Sequence, residues 1–304
     1  MTVILLRHGR STPPATSACA PTGTGAAPCM GRRMTPSRDD IDALRRGELT
    51  VIGRIRSASN ATFLCEATCL GHRAHCVYKP IAGEAPLWDF PDGTLAGREL
   101  GAYLVSEALG WNIVPHTIIR DGPAGTGMVQ LWIEEPDDSS TSTERMSPDL
   151  VDLFPAGKVP SGYLPVLRAY DYHGDEVTLV HSDDVRLFRM AVFDILINNA
   201  DRKGGHILLG LDGHVYGVDH GVSLHIEDKL RTVLWGWAGK PIDDETIATV
   251  DELCTALDDS LGQALREQIT TREVAALRRR AETLLDDPVM PAPDRRRPIP
   301  WPAF

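Results

Sequence analysis

The sequence has little positive charge, few cysteines and no long apolar run, and each absence excludes a class of protein. Its 304 residues contain 31 lysines and arginines against 42 acidic residues, and the net charge of −11 argues against a main role in nucleic-acid binding. No stretch approaches the ~18 apolar residues that a membrane helix requires. Six cysteines are too few for a disulfide scaffold and are typical of a reducing compartment.

What is present points to a soluble globular chain. A hydrophobic content of 42% is sufficient for a sizeable core in a chain of this length. The apolar residues after Met1 have no basic region ahead of them, so we expect no secretory signal. We therefore expect a cytoplasmic protein with about two domains or one two-lobed unit.

The first twelve residues form a short apolar run that ends in Arg7-His8-Gly9. This resembles the first strand and the RHG motif of the histidine phosphatases, in which His8 would be the phospho-acceptor. The resemblance ends at residue 12, and residues 13–36 are rich in Pro, Thr, Ala, Gly and Ser, as linkers are. We interpret residues 1–38 as a remnant strand followed by a disordered linker, without phosphatase function.

Residues 39–134 show short alternating segments around one strong helical pattern. In chain order the patterns predict a helix over 39–46, strands over 48–56, 61–70 and 74–79, a helix over 95–109, and strands over 113–119 and 127–134. This order predicts an α+β unit with an antiparallel sheet. Residues 135–165, rich in Asp, Ser, Thr and Pro, are predicted to be a linker or long loop.

The second unit, residues 166–286, is predicted to be mainly helical. Its helices are expected over 183–199, 245–269 and 272–285, the first apolar around most of its circumference and therefore buried. The last segment, 287–304, is rich in proline and is predicted to be an extended tail.

Candidate catalytic and metal-binding residues follow the predicted buried helix. Asp201-Arg-Lys-Gly-Gly-His206 leads into a short apolar strand, and a second short strand ends in Val-Asp219-His-Gly. A hairpin between Asp201 and Asp219 would allow the two carboxylates to converge, which suits a divalent metal, or a base beside a metal ligand. The alternative is an ordinary hairpin with solvated aspartates at its ends.

These two motifs resemble the catalytic and metal loops of the phosphatidylinositol 3-/4-kinase-like and HipA-type branches of the kinase superfamily. Upstream, Asn60-Ala-Thr-Phe-Leu resembles the turn that covers the nucleotide, and Val77-Tyr-Lys79-Pro80 the strand with the phosphate-binding lysine. Glu99 takes the place of the helix residue that pairs with this lysine, and residues 128–134 the place of the hinge strand. The match spans about residues 48–286 and is similar to a family of actinobacterial phosphatidylinositol 3-/4-kinase-like proteins.

The resemblance implies a two-lobed, protein-kinase-like fold that transfers phosphate from ATP to a hydroxyl acceptor with the help of a divalent metal, Mg²⁺ or Mn²⁺. The lobes would be 39–134 and 166–286. The implied catalytic residues are Asp201 and Lys203. The implied nucleotide-binding residues are Lys79, Glu99, Asn60, Gln130 and Trp132, and the implied metal ligands are Asp219 and His206.

The sequence departs from the family pattern at the metal site. His206 stands where the family has an asparagine, and imidazole favours Mn²⁺ over Mg²⁺, unless Asp219 is left as the main ligand. No glycine-rich loop is present. A pseudokinase that binds nucleotide or a partner without turnover is therefore the alternative. Because the segment 225–231 is mixed in charge, a protein or small-molecule acceptor is favoured over a phosphoinositide, and a protein partner is left open.

Three alternative interpretations compete with these assignments. Glu107 lies two turns beyond Glu99 and could replace it as the partner of Lys79. A zinc site could be built from Cys65, Cys69, His72, His75 and Cys76, but the spacing matches no standard pair, so buried strand cysteines are the default. The histidines near the metal loop could supply a ligand or only stabilise the loop; they are His214, His220 and His225.

Overall fold

The structure, a computed structural model, describes residues 36–55, 60–136, 149–171 and 173–304. The predicted remnant strand and His8 lie outside the described residues. The first lobe is built from two helices and an antiparallel sheet with the strand order β1-β2-β3-β5-β4. Its elements are α1 (Arg38–Arg46), β1 (Glu48–Arg54), β2 (Phe63–Cys69), β3 (His72–Pro80), α2 (Leu95–Ala108), β4 (Thr117–Gly122) and β5 (Gly125–Leu131).

Local sequence explains how this lobe begins. Ser37 caps α1, and Asp40 accepts a hydrogen bond from the Ser37 backbone in return, so two free N–H groups of the helix end are satisfied. The β2–β3 hairpin turns at Leu70 and Gly71, whose positive φ values of 48° and 84° give the left-handed backbone that the tight turn needs. The apolar face of α1 then packs on the sheet through Leu44.

The second lobe contains the larger core. Its elements are β6 (Val151–Pro155), β7 (Tyr163–Tyr170), β8 (Glu176–Ser182), α3 (Val185–Ile197), β9 (Ile207–Leu209), β10 (Val215–Gly217), α4 (Asp244–Leu257), α5 (Ser260–Arg266) and α6 (Thr271–Asp286). Helix α3 is buried on most sides, as its all-round apolar sequence predicts. The α+β expectation, with an antiparallel sheet lobe followed by a larger, mainly helical lobe, is confirmed.

Two sequence expectations in the second lobe are wrong. The segment 135–165, expected to be a loop, contains β6 and the first residues of β7, which pair with β8 in a three-stranded sheet. The backbone hydrogen bonds of this segment come from pairing with β8, and its polar, proline-containing composition does not indicate that pairing. The single helix expected over 245–269 is two helices, α4 and α5, because Asp258, Asp259 and Ser260 favour helix ends over helix interiors.

The strand expected over 113–119 also begins later, at Thr117. Asn112 has a positive φ of 51°, and Pro115 has no N–H to donate to a neighbouring strand, so pairing starts beyond both residues. Within the residues that the structure describes, no helix is at once long enough and apolar enough to cross a bilayer.

A buried ion pair joins the lobes. Arg98 of α2 donates to Glu273 of α6 over 2.6 Å and to the backbone oxygen of Ser223 over 2.8 Å. Both side chains are almost fully buried. Glu273 also completes the capping box of α6 with Thr270. Helix α2, which lies in the first lobe, is therefore fixed to the second lobe by charge.

We predict that Arg98→Met lowers the free energy of unfolding by about 3–5 kcal/mol, because it leaves the buried Glu273 carboxylate without its cation. Denaturant unfolding followed by circular dichroism measures the change. The matched control is Arg54→Met on the exposed face of β1, for which we expect less than about 0.5 kcal/mol. A loss below about 1 kcal/mol for Arg98→Met would show that the pair does not fix α2 to α6.

Candidate active site

The loop that carries Asp201 begins where α3 ends. Asn198 ends the helix in the left-handed conformation, with φ 53°, and asparagine tolerates this conformation better than most residues. Its side-chain amide donates to the backbone oxygens of His225 and Glu227, over 3.1 and 2.6 Å. Asn199 then accepts the backbone N–H of Asp201 over 3.0 Å, which fixes the start of the loop.

Arg202 lies behind this loop and is fully buried. Its guanidinium pairs with Asp194 of α3, with nitrogen–oxygen distances of 2.9–3.1 Å. It also donates to the backbone oxygens of His206 and Val218, and over 2.7 Å to Nε2 of His220. One rigid cation therefore holds the segment after Asp201 and the segment around Asp219 together.

Asp219 lies two residues after the end of β10 and has a positive φ of 63°, which is uncommon for residues other than glycine, although asparagine, aspartate and histidine adopt it more often than the rest. Its Oδ1 atom lies 2.7 Å from Nζ of Lys79, and its Oδ2 atom 3.4 Å from Nε2 of His206. The positive charge of Lys79 is the main reason that the pKa of Asp219 falls below its ordinary value. Asp219 is therefore an anion that connects the two lobes.

Lys79 projects from β3 and contacts two carboxylates. Besides Asp219, it donates to Oε1 of the buried Glu99 over 2.6 Å. Burial alone would lower the pKa of Lys79, but the charges of Asp219 and Glu99 outweigh burial and raise it. The other oxygen of Glu99 accepts the backbone N–H of His220 over 2.9 Å. The structure thus brings Lys79, Glu99 and Asp219 together, including the pair of Lys79 and Glu99 that the resemblance implied.

Asp201 has a different environment. Its nearest cation is Lys203, whose Nζ lies 3.1 Å from Oδ2. Burial raises the pKa of Asp201 to about 6, although the charge of Lys203 opposes the shift. At neutral pH the carboxylate is mostly ionised yet basic enough to take up a proton, which suits a general base.

One ring nitrogen of His206 forms a hydrogen bond to the backbone, and the other lies near the carboxylate of Asp219. Nδ1 lies 2.8 Å from the backbone oxygen of Asp201, and since a carbonyl only accepts, Nδ1 carries the proton. Burial lowers the pKa of His206 to about 4, so the ring is neutral at physiological pH. The lone pair of Nε2 is therefore free to bind a cation beside Asp219.

The donor set fits a cation that arrives with a nucleotide. Within the described residues, no group of three or more His, Cys, Asp or Glu side chains could hold a metal by itself. Mg²⁺ is usually held by only one or two protein ligands together with substrate phosphates. Asp219 and His206 supply such a pair, one oxygen and one nitrogen.

The three predicted nucleotide contacts outside this cluster have other partners. Asn60 accepts the backbone N–H of Ala85 over 2.9 Å through its side-chain oxygen. Gln130 is buried and donates to the hydroxyl of Thr117 over 2.9 Å. Trp132 lines a cavity of about 1130 Å³ that does not include Lys79, Asp201 or Asp219. The structure does not bring these three side chains into the Lys79 cluster, and their nucleotide roles stay predictions.

The residues of the competing assignments have other partners or lie outside the Lys79 cluster. Glu107 is exposed, and the carboxylates that contact Lys79 are those of Glu99 and Asp219. Cys65 and Cys76 face each other across β2 and β3 in the core, where burial raises the pKa of the Cys65 thiol to about 11. His72 contacts Asp40 over 2.8 Å. Among the other histidines, His214 contacts the backbone oxygen of Asn112, His225 packs on Phe90, and His220 lies behind the site against Arg202.

Two residues behind the site, Asp194 and Arg202, were not predicted from the sequence; His220 was named there as a ligand or a stabiliser of the loop, and it lies against Arg202. The signal that could have found them is Asp194, a carboxylate within the apolar run of α3. A charge inside a buried helix requires a buried partner. The arginine of the Asp201-Arg-Lys motif was the nearest candidate for that partner.

No family model matches the chain. Protein Rv2133c of Mycobacterium tuberculosis is 69% identical over 277 residues, which cover 91% of this chain and 99% of that protein. Among solved structures, the Golgi casein kinase is similar with a TM-score of 0.41 at 13% identity, over 81% of this chain and 72% of that chain. The Helicobacter pylori proinflammatory kinase CtkA is similar with a TM-score of 0.38 at 10% identity, over 79% and 97%. At these TM-scores, the two structures carry no inference about activity.

We predict that Arg202→Lys lowers the free energy of unfolding by at least about 2 kcal/mol, although it keeps the charge. A lysine cannot reach all acceptors of the guanidinium, and each buried acceptor left unpaired costs about 1–3 kcal/mol. Denaturant unfolding measures the loss. The control is Arg189→Lys at the exposed pair with Glu245, where we expect less than about 0.5 kcal/mol. Equal stability of the two variants would contradict the role given to Arg202.

Proposed function

We propose that this chain, which belongs to the same family as protein Rv2133c of Mycobacterium tuberculosis, is an ATP-dependent phosphotransferase that acts on a hydroxyl group. The observation that supports this most directly is the contact of Lys79, from the first lobe, with Glu99 and Asp219 at 2.6 and 2.7 Å. Phosphoryl transfer requires mainly positioning and neutralisation of phosphate charge, and this cluster offers both.

Each residue of the cluster has a distinct task in this proposal. Lys79, oriented by Glu99, binds phosphate oxygens of the nucleotide. Asp219 and His206 would hold a divalent cation, Mg²⁺ or Mn²⁺, which would supply positive charge against the phosphates. ATP would supply the phosphoryl group. The neutral ring of His206 follows from its burial, so it accepts the cation without first losing a proton.

Asp201 acts on the acceptor. The oxygen of the acceptor hydroxyl forms a bond to the γ-phosphorus while its proton passes to the Asp201 carboxylate. The bond between the γ-phosphorus and the bridging oxygen breaks, and ADP leaves with the electron pair. Lys203, 3.1 Å from Asp201, keeps the carboxylate ionised and orients it.

The second candidate is a nucleotide-binding module without turnover. One observation favours it: an imidazole nitrogen of His206 stands beside Asp219, where the resembled kinases present an amide oxygen. A softer ligand is less suited to Mg²⁺ and could leave bound ATP unreactive. The two candidates differ in whether ADP and a phosphorylated product are formed.

We predict that Asp201→Asn reduces turnover by about 10²–10⁴-fold and leaves nucleotide binding unchanged, because only the proton acceptor is lost. The protein is incubated with labelled ATP and a cell extract, and labelled product and ADP are quantified. A fluorescent ATP analogue reports binding. Asp259→Asn, an exposed substitution without a capping bond, is the matched control and should behave like the parent.

Two results would contradict this proposal. A parent protein that binds the ATP analogue but forms no ADP with any extract would favour the module without turnover. If Asp201→Asn reduced binding as strongly as turnover, Asp201 would belong to the nucleotide site and not to the acceptor site.

We predict that nucleotide binding and turnover prefer Mn²⁺ over Mg²⁺, and that His206→Asn shifts the preference towards Mg²⁺ because an amide oxygen replaces a nitrogen ligand. Electron paramagnetic resonance of Mn²⁺, with and without nucleotide, measures the binding directly. His214→Asn is the control, since His214 lies outside the Lys79 cluster and contacts Asn112. Equal use of both metals by the parent and by His206→Asn would show that His206 is not a ligand.

A further inference from the structure

The proline-rich tail, residues 287–304, is held along the second lobe. Met290 is buried in the core of that lobe. Farther along, the oxygen of Pro298 accepts the backbone N–H of Thr232 over 3.0 Å and the indole N–H of Trp235 over 2.8 Å. The course of the tail is therefore fixed by core packing and by hydrogen bonds.

The tail then contacts the loop that carries Asp201. The backbone oxygen of Ala303 accepts the N–H of Gly204 over 2.8 Å. A Cβ atom added to Gly204 would lie 2.7 Å from the ring of Phe304 and 3.3 Å from Cγ1 of Val151. Because the φ of Gly204 is not in the left-handed region, space and not backbone conformation requires glycine here.

The contact is packed and not superficial. Ala303 is 2% exposed and belongs to the core of the second lobe, and Phe304 packs against the same core. Ordering these two residues costs conformational entropy. The apolar packing and the hydrogen bond to Gly204 offset that cost, so the tail is a fixed neighbour of the loop.

The tail determines where Lys203 lies, because it fixes the next residue, Gly204. On the other side of Lys203, Arg202 is buried against Asp194. The Nζ atom of Lys203 lies 3.1 Å from Oδ2 of Asp201, at the end of a flexible four-carbon chain. Its position beside Asp201 therefore depends on a backbone that is held by the core on one side and by the tail on the other.

We propose that Ala303 and Phe304 are positioning residues of the site, which act through Gly204 to hold Lys203 beside Asp201. The inference deepens the proposed function and rests on it, because it concerns the proton acceptor of that reaction. A displacement of about 1 Å near the reacting groups can lower a rate about 100-fold. Loss of the tail contact should therefore slow turnover and leave nucleotide binding unchanged.

The first test compares the parent with Phe304→Ala and Phe304→Leu. Tyr170→Ala, at an exposed position of β7, is the matched aromatic control. Labelled ATP and a cell extract give the rate of ADP formation at saturating ATP, above that of the extract alone, and the ATP concentration for the half-maximal rate. A fluorescent ATP analogue measures nucleotide binding directly.

We expect Phe304→Ala to lower the rate at saturating ATP by about 10- to 100-fold. The ATP concentration for the half-maximal rate and the affinity for the analogue should stay within about twofold of the parent. Phe304→Leu retains an apolar contact and should lose less, and Tyr170→Ala should match the parent. An equal rate for Phe304→Ala and the parent, or a loss of analogue binding as large as the loss of rate, would overturn the inference.

A double-mutant cycle tests whether the tail acts through Lys203. Lys203→Met removes the cation beside Asp201. Adding Phe304→Ala to this variant should lower the rate further by less than about threefold, because the residue that the tail positions is already gone. A further loss as large as in the parent would show that Phe304 does not act through Lys203. Where Lys203→Met is too slow to measure, hydrogen exchange decides.

Amide hydrogen exchange requires no turnover and separates this inference from the proposed function. In Phe304→Ala, we expect the amides of residues 201–206 to exchange at least about tenfold faster, and those of α3 to keep the rates of the parent. This local change in a protein that forms no ADP would contradict the proposed function and support the positioning of the loop by the tail. Unchanged exchange at 201–206, or faster exchange throughout the second lobe, would overturn the inference.

Discussion

The guanidinium of Arg202 is buried against Asp194 of α3, and both loops of the candidate active site are attached to it. A buried ion pair is costly to desolvate and adds little net stability compared with well-packed apolar residues. We interpret its use here as positional: the rigid fork holds the backbone near His206 and Val218 at fixed distances from the core of the second lobe. The backbone strain at Asp219 is tolerated because the preceding residue, Val218, is held by Arg202.

Among the described residues, ion pairs join the lobes at Arg98 and Glu273, at Lys79 and Asp219, and at Lys229 and Asp89. Arg98 and Glu273 form a fully buried pair, whereas Lys79 and Asp219 meet where the site is open to solvent. Glu99 lies between these contacts, with one oxygen on Lys79 and the other on the backbone of His220. Helix α2 is consequently a shared element, and a shift of this helix would move Lys79 and the segment around Asp219 together.

The sequence contained enough to predict the cluster but not its surroundings. The order of Lys79, Glu99 and Asp219 along the chain matched a known pattern, and local periodicity predicted α3. Strands β6 and β7 depend on pairing with β8, which no local pattern records. The tail contacts Thr232, Trp235 and Gly204 only through tertiary hydrogen bonds, which no local pattern predicts.

The contact between the tail and the loop that carries Asp201 affects how the protein should be handled. Gly204 lies against the ring of Phe304, so close that a Cβ atom at this position would be 2.7 Å from the ring. An affinity tag fused after Phe304 would therefore emerge beside the loop that carries Asp201 and Lys203. If the proposed function holds, purification tags at that end would crowd the side of the site where Asp201 lies and would lower the measured turnover.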